Sequence, residues 1–195
     1  IAPTEALSDG AYALTVTATD AAGNISAASD TLSMTVDATA PAQPAITTTT
    51  TLTSDATPTI EGTAEADSTV TLLSGGVAIG TTTANGDGQF SITTSTLADS
   101  NYVLTVTATD AAGNISAASS ALNLTVDTTA PAQPAITTTT ALTNDSTPAI
   151  EGVAEAGSTV TLFVDGETTG ITTTADETTG AYTITPAELS DGAYS

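Results

Sequence analysis

The stretch NYVLTVTATDAAGNISAASS, from Asn101 to Ser120, decides the fold of this chain because a nearly identical copy occurs earlier in the chain. The earlier copy, AYALTVTATDAAGNISAASD, runs from Ala11 to Asp30. Within YVLTVTAT, alternate residues fall on opposite faces, and this two-residue period predicts a half-buried β-strand. The DAAGN that follows has the Asp, Gly and Asn of a turn. Each copy therefore predicts one strand that turns back towards a second.

The repeat extends well beyond this stretch. DATAPAQPAITTTT begins at Asp37, and DTTAPAQPAITTTT begins 90 residues later at Asp127. PTIEGTAEADSTVTL at Pro58 likewise returns as PAIEGVAEAGSTVTL at Pro148. A period of this length is too long for one turn of a solenoid and is typical of independent domains in tandem.

The offset grows towards the end of the chain. LADSNY begins at Leu97 and returns as LSDGAY at Leu189, an offset of 92 residues. We place the two additional residues between Val164 and Gly180, in a surface hairpin or loop.

One module contains about seven short strands with turn signals between them, such as NGDG at residues 85–88. This pattern predicts an all-β chain of tandem immunoglobulin-like β-sandwich domains of about 90 residues. The predicted strands are 45–51, 59–64, 69–73, 77–83, 89–93, 102–108 and 121–126, which we label A, B, C, C′, E, F and G in that order.

The module boundaries predict three segments. Residues 1–36 hold the C-terminal strands of one repeat, residues 37–127 a complete repeat, and residues 128–195 the N-terminal part of another. The last two strands of the first segment and the open domain of the third then lack partners. We expect Tyr12 and Leu14 to pack against strands from outside this chain, either from head-to-tail copies or from covalent neighbours in a longer fibre.

Charge excludes several classes of function. The chain has no Lys, Arg or His and 22 Asp and Glu, so that its formal charge is −22. Nucleic-acid binding depends on Lys and Arg at phosphates, and anionic lipids also attract basic residues, so neither partner is expected. No apolar run approaches the roughly 20 residues of a membrane-spanning helix. No membrane insertion is expected.

Catalysis has little support in the sequence. Without His, Cys or Lys, the chain cannot form a nucleophile–imidazole pair, a thiolate or a Schiff base. Paired carboxylates remain available, as in glycosidases. Because the acidic residues recur at turn positions in each module, we predict that the chain is not an enzyme.

The acidic residues gather at the two ends of the predicted sandwich. Alternating strand directions place the B–C loop, the F–G hairpin and the entry linker at one end, and the A–B and E–F loops with the exit linker at the other. Where modules stack, these ends meet without a protein cation. Ca²⁺ takes six to eight oxygen ligands, so we predict calcium at the junctions. At one end lie Glu65, Asp67, Asp110 and Asp37. At the other end lie Asp55, Asp99 and Asp127. Where this module meets the next, we expect Asp55, Asp99 and Asp127 to converge with Glu155 of the following module.

Ordinary turn chemistry is the alternative for many of these residues. Asp and Asn side chains bond to nearby backbone and tolerate left-handed conformations. This explains Asp87, Gly113 and Asn114, and either role remains open for Asp110. Glu65 is a poor turn former, which favours a ligand role.

The phrases VTATDAAGN, VDATAPAQP and PTIEGTAEADSTVTL closely resemble the bacterial immunoglobulin-like repeats of giant Gram-negative adhesins exported by type I secretion, the RTX or biofilm-associated adhesins. The resemblance covers essentially the whole chain. It implies extracellular stalk domains on the cell surface, rigidified by Ca²⁺, that hold a distal adhesive tip away from the cell. Carried over by position, the junction ligands fall on Asp37 and Asp127, Glu65 and Glu155, and Asp20 and Asp110. Gly157 departs from the pattern, since it stands where Asp67 stands in the preceding repeat.

The function we expect is therefore a structural extender of a surface adhesin that supports adhesion or biofilm formation. The alternative is a glycan- or protein-binding module. The scarcity of aromatic residues on which sugars stack argues against that alternative.

Overall fold

The computed structural model describes residues 6–139 and 142–194, and all of their regular structure is β-strand. Residues 1–5, 140–141 and 195, which belong to the first and third predicted segments, lie outside the described residues. By contacts, the chain divides into two compact units, 1–128 and 129–195. No helix in the described part is long and apolar enough to cross a membrane.

Unit 1 begins with a hairpin of two antiparallel strands, β1 (Gly10–Leu14) and β2 (Leu32–Val36). The hairpin forms a sheet of its own and pairs with no other described strand. Its apolar side chains are exposed, with Leu32 59% and Met34 39% accessible.

Residues 42–128 form the complete sandwich. Eight strands build it: β3 (Ala45–Ile46), β4 (Leu52–Thr53), β5 (Thr59–Thr63), β6 (Thr69–Ser74), β7 (Val77–Thr83), β8 (Gln89–Thr93), β9 (Ser100–Thr109) and β10 (Leu122–Val126). One sheet has the order β3-β5-β8 and the other β4-β10-β9-β6-β7. Strands β5 to β10 are the predicted B, C, C′, E, F and G, so the immunoglobulin-like prediction is confirmed.

The alternation predicted for β9 positions the core. Leu104, Val106 and Ala108 are fully buried, while the residues between them are exposed or half-buried. Ile60 and Leu72, from facing sheets, complete the same apolar cluster. Burial of such side chains between two sheets holds the sandwich together.

The single strand A predicted over 45–51 is wrong. The chain pairs antiparallel with β5 through β3, then crosses over, and β4 pairs parallel with β10. At the crossing, the Thr48 hydroxyl accepts a hydrogen bond from the Glu61 amide at 2.8 Å. A side chain thus replaces the backbone acceptor that the departing strand no longer offers.

Unit 2 repeats the first part of this sandwich. Its strands are β11 (Ala135–Ile136), β12 (Ile150–Val153), β13 (Thr159–Val164), β14 (Glu167–Thr174) and β15 (Ala181–Ile184). Strands β11-β12-β15 form one sheet, and β13-β14 form a separate sheet of two strands. A small buried cluster around Tyr182 and Ile184 lies within this unit.

The two additional residues of unit 2 fall in two different places. Strand β14 has eight residues where β7 has seven. The turn before β15 has five residues, Asp176–Gly180, where NGDG has four. Both places lie within the predicted span 164–180.

Candidate functional site: the acidic loops at the ends of the sandwich

The F–G loop that follows β9 is organised by Asp110. Its Oδ1 accepts the amides of Ala112 and Asn114 at 2.9 Å, and its Oδ2 accepts Asn114 Nδ2 at 2.8 Å. These donors, the Asn114 side chain first, hold the pKa of Asp110 below its usual value. Asp20 has the same contacts with Asn24 and a lowered pKa. In each loop the carboxylate therefore acts as a turn-forming acceptor.

The same loop also contacts the entry linker, residues 37–44, which precedes the complete sandwich. Asn114 Nδ2 donates to the Asp37 carbonyl at 3.1 Å, and Gln43 Nε2 donates to the Ala118 carbonyl at 2.5 Å. Pro41, which lies between Asp37 and Gln43, and Pro44, which follows Gln43, are buried. The linker is therefore fixed against the sandwich that follows it.

The linker is equally bound to the hairpin that precedes it. Asp9 accepts the Ala38 amide at 2.9 Å and the Thr39 hydroxyl at 2.5 Å. These bonds, the Thr39 hydroxyl first, lower the pKa of Asp9. Asp37 Oδ1 accepts the Thr39 amide at 3.1 Å. Two carboxylates, Asp9 and Asp37, thus lie around a single linker turn.

The exit linker repeats this arrangement at the opposite end of the sandwich. Asp99 Oδ1 accepts the amide and hydroxyl of Thr128 at 2.9 and 2.7 Å. The Asp127 amide donates to the Thr53 carbonyl at 3.0 Å. Asp55 has a local role in the A–B loop, where its Oδ1 accepts the amide and hydroxyl of Thr57.

The B–C loop holds Glu65, whose carbonyl accepts both the amide and the hydroxyl of the buried Ser68. Asp67 in this loop has φ 63°, and Gly157 in unit 2 has φ 76°. Glycine and aspartate are both compatible with this left-handed backbone, which explains why they interchange here. Asp67 is therefore a turn residue.

The NGDG turn belongs to the same end of the sandwich. The Ala64 amide donates to the Gly88 carbonyl at 2.8 Å, and a Cβ on Gly88 would lie 2.6 Å from the Ala64 carbonyl oxygen. The turn that holds Asp87 is therefore joined to the B–C loop. In unit 2, the Ala154 amide bonds to the Gly180 carbonyl in the same way.

The described residues bring the predicted ligands together in pairs at most. Among them, no three His, Cys, Asp or Glu side chains converge on a point that could hold a metal ion. The donor set is nonetheless all oxygen, as Ca²⁺ requires, and each linker combines carboxylates with backbone carbonyls. The ligand set Asp37, Asp127, Glu65, Glu155, Asp20, Asp110, Asp55 and Asp99 stays a prediction.

One structural motif escaped the sequence reasoning. The Tyr102 hydroxyl donates to the Ala98 carbonyl at 2.9 Å, four residues upstream, which is the tyrosine corner of immunoglobulin-like sandwiches. Tyr12 and Tyr194 make the same bond to Ser8 and Ser190 at 2.7 Å. The recurring signal was in the sequence as LSDGAY, LADSNY and LSDGAY.

The known proteins that this chain resembles include two that it matches only in part. Exoglucanase B of Cellulomonas fimi is 38% identical over 137 residues, which are 64% of this chain and 13% of that protein. A solved structure described as a biofilm associated protein, BSP domain, aligns over 78% of this chain and 25% of its own length, at 20% identity and a TM-score of 0.31. That likeness is too weak to support an argument. The chain therefore spans only a small part of either relative.

The family match is far more extensive. The bacterial Ig-like domain matches residues 1–38, 42–128 and 133–195, which is nearly the whole chain in three consecutive copies. Together with the two-sheet sandwich and its tyrosine corner, this match shows that the chain belongs to the bacterial Ig-like domain family.

Proposed function

We propose that this chain is a structural extender, a stalk segment that holds another part of a bacterial surface protein away from the cell. The linker of unit 1 carries the proposal. It is bonded on one side to the hairpin through Asp9 and on the other to the sandwich through Asn114 and Gln43. A linker held on both sides transmits the orientation of one module to the next, which is what a stalk requires.

Composition agrees with this passive role. The chain has no Lys, Arg, His, Cys or Trp. Two of its few aromatic rings, Phe90 and Tyr182, are buried in the cores, and Tyr102 is bound in its corner. No His, Cys or Lys is available as an imidazole base, thiolate or amine nucleophile. Among the described residues Phe163 and Tyr194 are 57% and 43% exposed, so aromatic surface on which sugars could stack is scarce. We therefore assign no enzymatic activity to this segment.

In its finer form, the proposal places the segment in an extracellular adhesin of the type I-secreted, RTX or biofilm-associated class. Its partners are then the neighbouring repeats, and the adhesive ligand binds elsewhere. The supporting observations are the tandem family match and the wholly acidic surface.

Calcium at the linkers is part of the same proposal. Asp9 with Asp37, and Asp99 with Asp127, would supply carboxylates at successive linkers, and backbone carbonyls and water would complete the shell. The ion would neutralise acidic groups that no protein cation can balance, since the chain has none.

A second candidate follows from the partial match to an exoglucanase. The segment would then be a spacer or glycan-binding module attached to a secreted enzyme. Binding to cellulose or to a glycan array would favour that candidate, whereas a stalk segment binds neither.

The stalk proposal predicts joint motion of the hairpin and the sandwich. We expect residues 10–36 and 42–128 to share one rotational correlation time in ¹⁵N relaxation of the chain. Replacing both linker anchors, Asn114→Ala with Gln43→Ala, should separate the two correlation times. Asn123→Ala, on the exposed side of β10, is the matched control. Independent tumbling of the unaltered hairpin would refute the proposal.

A further inference from the structure

The turn NGDG at residues 85–88 is a sequence signal that the proposed function does not use. In it Asn85 is followed by Gly86, and no other asparagine of the sequence precedes a glycine. A side chain on the following residue hinders that residue's backbone nitrogen, and glycine has no side chain. The side-chain amide of Asn85 is therefore more open to attack by the next backbone nitrogen than that of any other asparagine. The others are Asn24, Asn101, Asn114, Asn123 and Asn144, which precede Ile, Tyr, Ile, Leu and Asp.

The turn leaves the Gly86 nitrogen available. Asn85 and Gly86 are both exposed, and a Cβ on Gly86 would meet no atom within 4 Å. The amides on either side are bonded, that of Asn85 to the Gln89 carbonyl and that of Asp87 to Asn85 Oδ1. The Gly86 amide donates to no acceptor in the described part of the chain. This nitrogen therefore gives up no hydrogen bond when it reacts.

The side-chain carbonyl of Asn85 is polarised by the same turn. Its Oδ1 accepts the amides of Asp87 and Gln89 at 3.0 and 2.8 Å. When a nucleophile adds to Cγ, negative charge develops on this oxygen, and two amides directed at it stabilise that charge as they do in an oxyanion hole. The Asn85 Nδ2 has only a long contact of 3.5 Å with Gln89 Oε1. The bonds that form the turn therefore favour attack at Cγ and leave the side-chain nitrogen free to depart.

Unit 2 has a carboxylate at the corresponding place. Asp176 begins the turn of unit 2 as Asn85 begins that of unit 1, and each residue's amide donates across its turn at 2.9 Å. Asp176 Oδ1 accepts the amides of Thr178 and Thr179 at 3.0 and 2.7 Å. These donors, the Thr179 amide first, hold the pKa of Asp176 below its usual value. An ionised aspartate is therefore a stable first residue for this turn.

From these observations we infer that Asn85 deamidates without an enzyme, through a succinimide formed with Gly86. The Gly86 nitrogen loses its proton and bonds to Asn85 Cγ, and the bond from Cγ to Nδ2 breaks, so that Nδ2 leaves as ammonia. Water then opens the succinimide ring. Opening between the nitrogen and Cγ gives aspartate, and opening between the nitrogen and the backbone carbonyl carbon gives isoaspartate. Either route consumes one water, releases one ammonia and adds one negative charge. The inference is independent of the stalk proposal.

The two products affect the turn differently. Aspartate keeps the backbone and the Oδ1 acceptor, so it makes the bonds that Asp176 makes in unit 2. Isoaspartate lengthens the backbone between residues 85 and 86 by one methylene group. That extra length enters a turn closed by the Gly88 amide on the Asn85 carbonyl at 2.8 Å and joined to the B–C loop by the Ala64 amide on the Gly88 carbonyl. The isoaspartate form should therefore weaken the contact between the turn and the B–C loop.

Peptide mapping of the incubated chain tests the site of the reaction. At mildly alkaline pH, where more of the Gly86 nitrogen is deprotonated, the peptide with residues 85–86 should be the first to carry an OH group in place of NH₂. Cleavage at Asp and Glu is required, since trypsin has no site in a chain without Lys and Arg. Gly86→Ala should slow the conversion several-fold and keep the fold, because its Cβ has space and its φ is outside the left-handed region. Faster conversion at another asparagine, or an equal rate in Gly86→Ala, overturns the inference.

Urea unfolding tests the different effects of the two products. Asn85→Asp is the aspartate product made directly, and it should unfold at the same urea concentration as the unaltered chain. The isoaspartate form, purified by chromatography from the incubated chain and identified by electron-transfer fragmentation, should unfold at a lower urea concentration. A clear loss of stability in Asn85→Asp, or an isoaspartate form as stable as the unaltered chain, contradicts the effect assigned to the turn.

Discussion

At the scale of the residue, glycine and aspartate determine where the backbone can go. Gly62 lies beneath the Phe90 ring and against the Ala45 carbonyl, and Gly152 lies in the same way beneath Tyr182. An aromatic ring over a strand glycine fills the space that the missing side chain leaves. Both glycines sit in the motif IEG, which the sequence repeats in both units.

We predict that Gly62→Ala destabilises unit 1 by about 2 kcal/mol, since the new methyl group would collide with Phe90 and with backbone. Chemical denaturation measures the loss. Gly86→Ala is the control, because a Cβ there meets no atom within 4 Å. Equal effects of the two substitutions would contradict the close approach.

Asp110 gives a prediction about protonation. The Asn114 side chain is the first cause of its lowered pKa, so Asn114→Ala should raise the pKa of Asp110 towards 3.8. Folding lowers the pKa of Asp110, so its ionised carboxylate stabilises the folded chain. This stabilisation is fully present above the pKa of Asp110 in the unfolded chain and is lost as pH falls through its pKa in the folded chain. Carboxyl ¹³C titration measures the pKa of Asp110 in the unaltered chain and in Asn114→Ala, with Asn123→Ala as control. An unchanged pKa in Asn114→Ala would assign the shift to another donor.

At the scale of the element, strand A shows how a side chain allows a strand to change sheets. The Thr48 hydroxyl accepts the Glu61 amide, and in unit 2 the Thr138 hydroxyl accepts the Glu151 amide at 2.6 Å. The threonine runs are therefore more than exposed β-formers, since one member of each run supplies an acceptor at the crossing.

Thr48→Val should destabilise unit 1 by about 1 kcal/mol, because it keeps the shape of the side chain and leaves the Glu61 amide without its acceptor. Thr49→Val changes an exposed neighbour in the same run and should have little effect. Urea unfolding compares them. If both variants unfold at the same urea concentration, the hydroxyl has no structural role.

At the scale of the whole molecule, the modules depend on what surrounds their ends. The complete sandwich has a continuous core, whereas the hairpin and unit 2 leave apolar faces exposed. Linker bonds and, as proposed, Ca²⁺ add to the stability of these modules.

We predict that Ca²⁺ raises the melting temperature of the chain and that chelation reverses the rise. An ion at 100 times its dissociation constant adds about 2.7 kcal/mol to the free energy of unfolding. Mg²⁺ should substitute poorly because it demands a tighter octahedron. Asp127→Ala should weaken Ca²⁺ binding in calorimetry more than Asp87→Ala, since Asp127 lies in a linker. Identical melting in Ca²⁺ and in EDTA would remove calcium from the proposal.

The sequence by itself determined the module, its period, the bounds of β7 and β8 and the place of the two additional residues. These follow from alternation and turn chemistry, which are local. It also determined that each candidate site is purely acidic, because no basic residue exists to pair with.

Only the tertiary structure decided the rest. VTATDAAGNISAAS occurs twice, yet its valine is fully buried in one copy and 73% exposed in the other. The strand that contains it has ten residues in one place and five in the other. Strand pairing and burial depend on the neighbour across the sheet, which lies far away in sequence. The point where strand A changes sheets depends on such neighbours as well. Identical residues therefore form different structures wherever that neighbour differs.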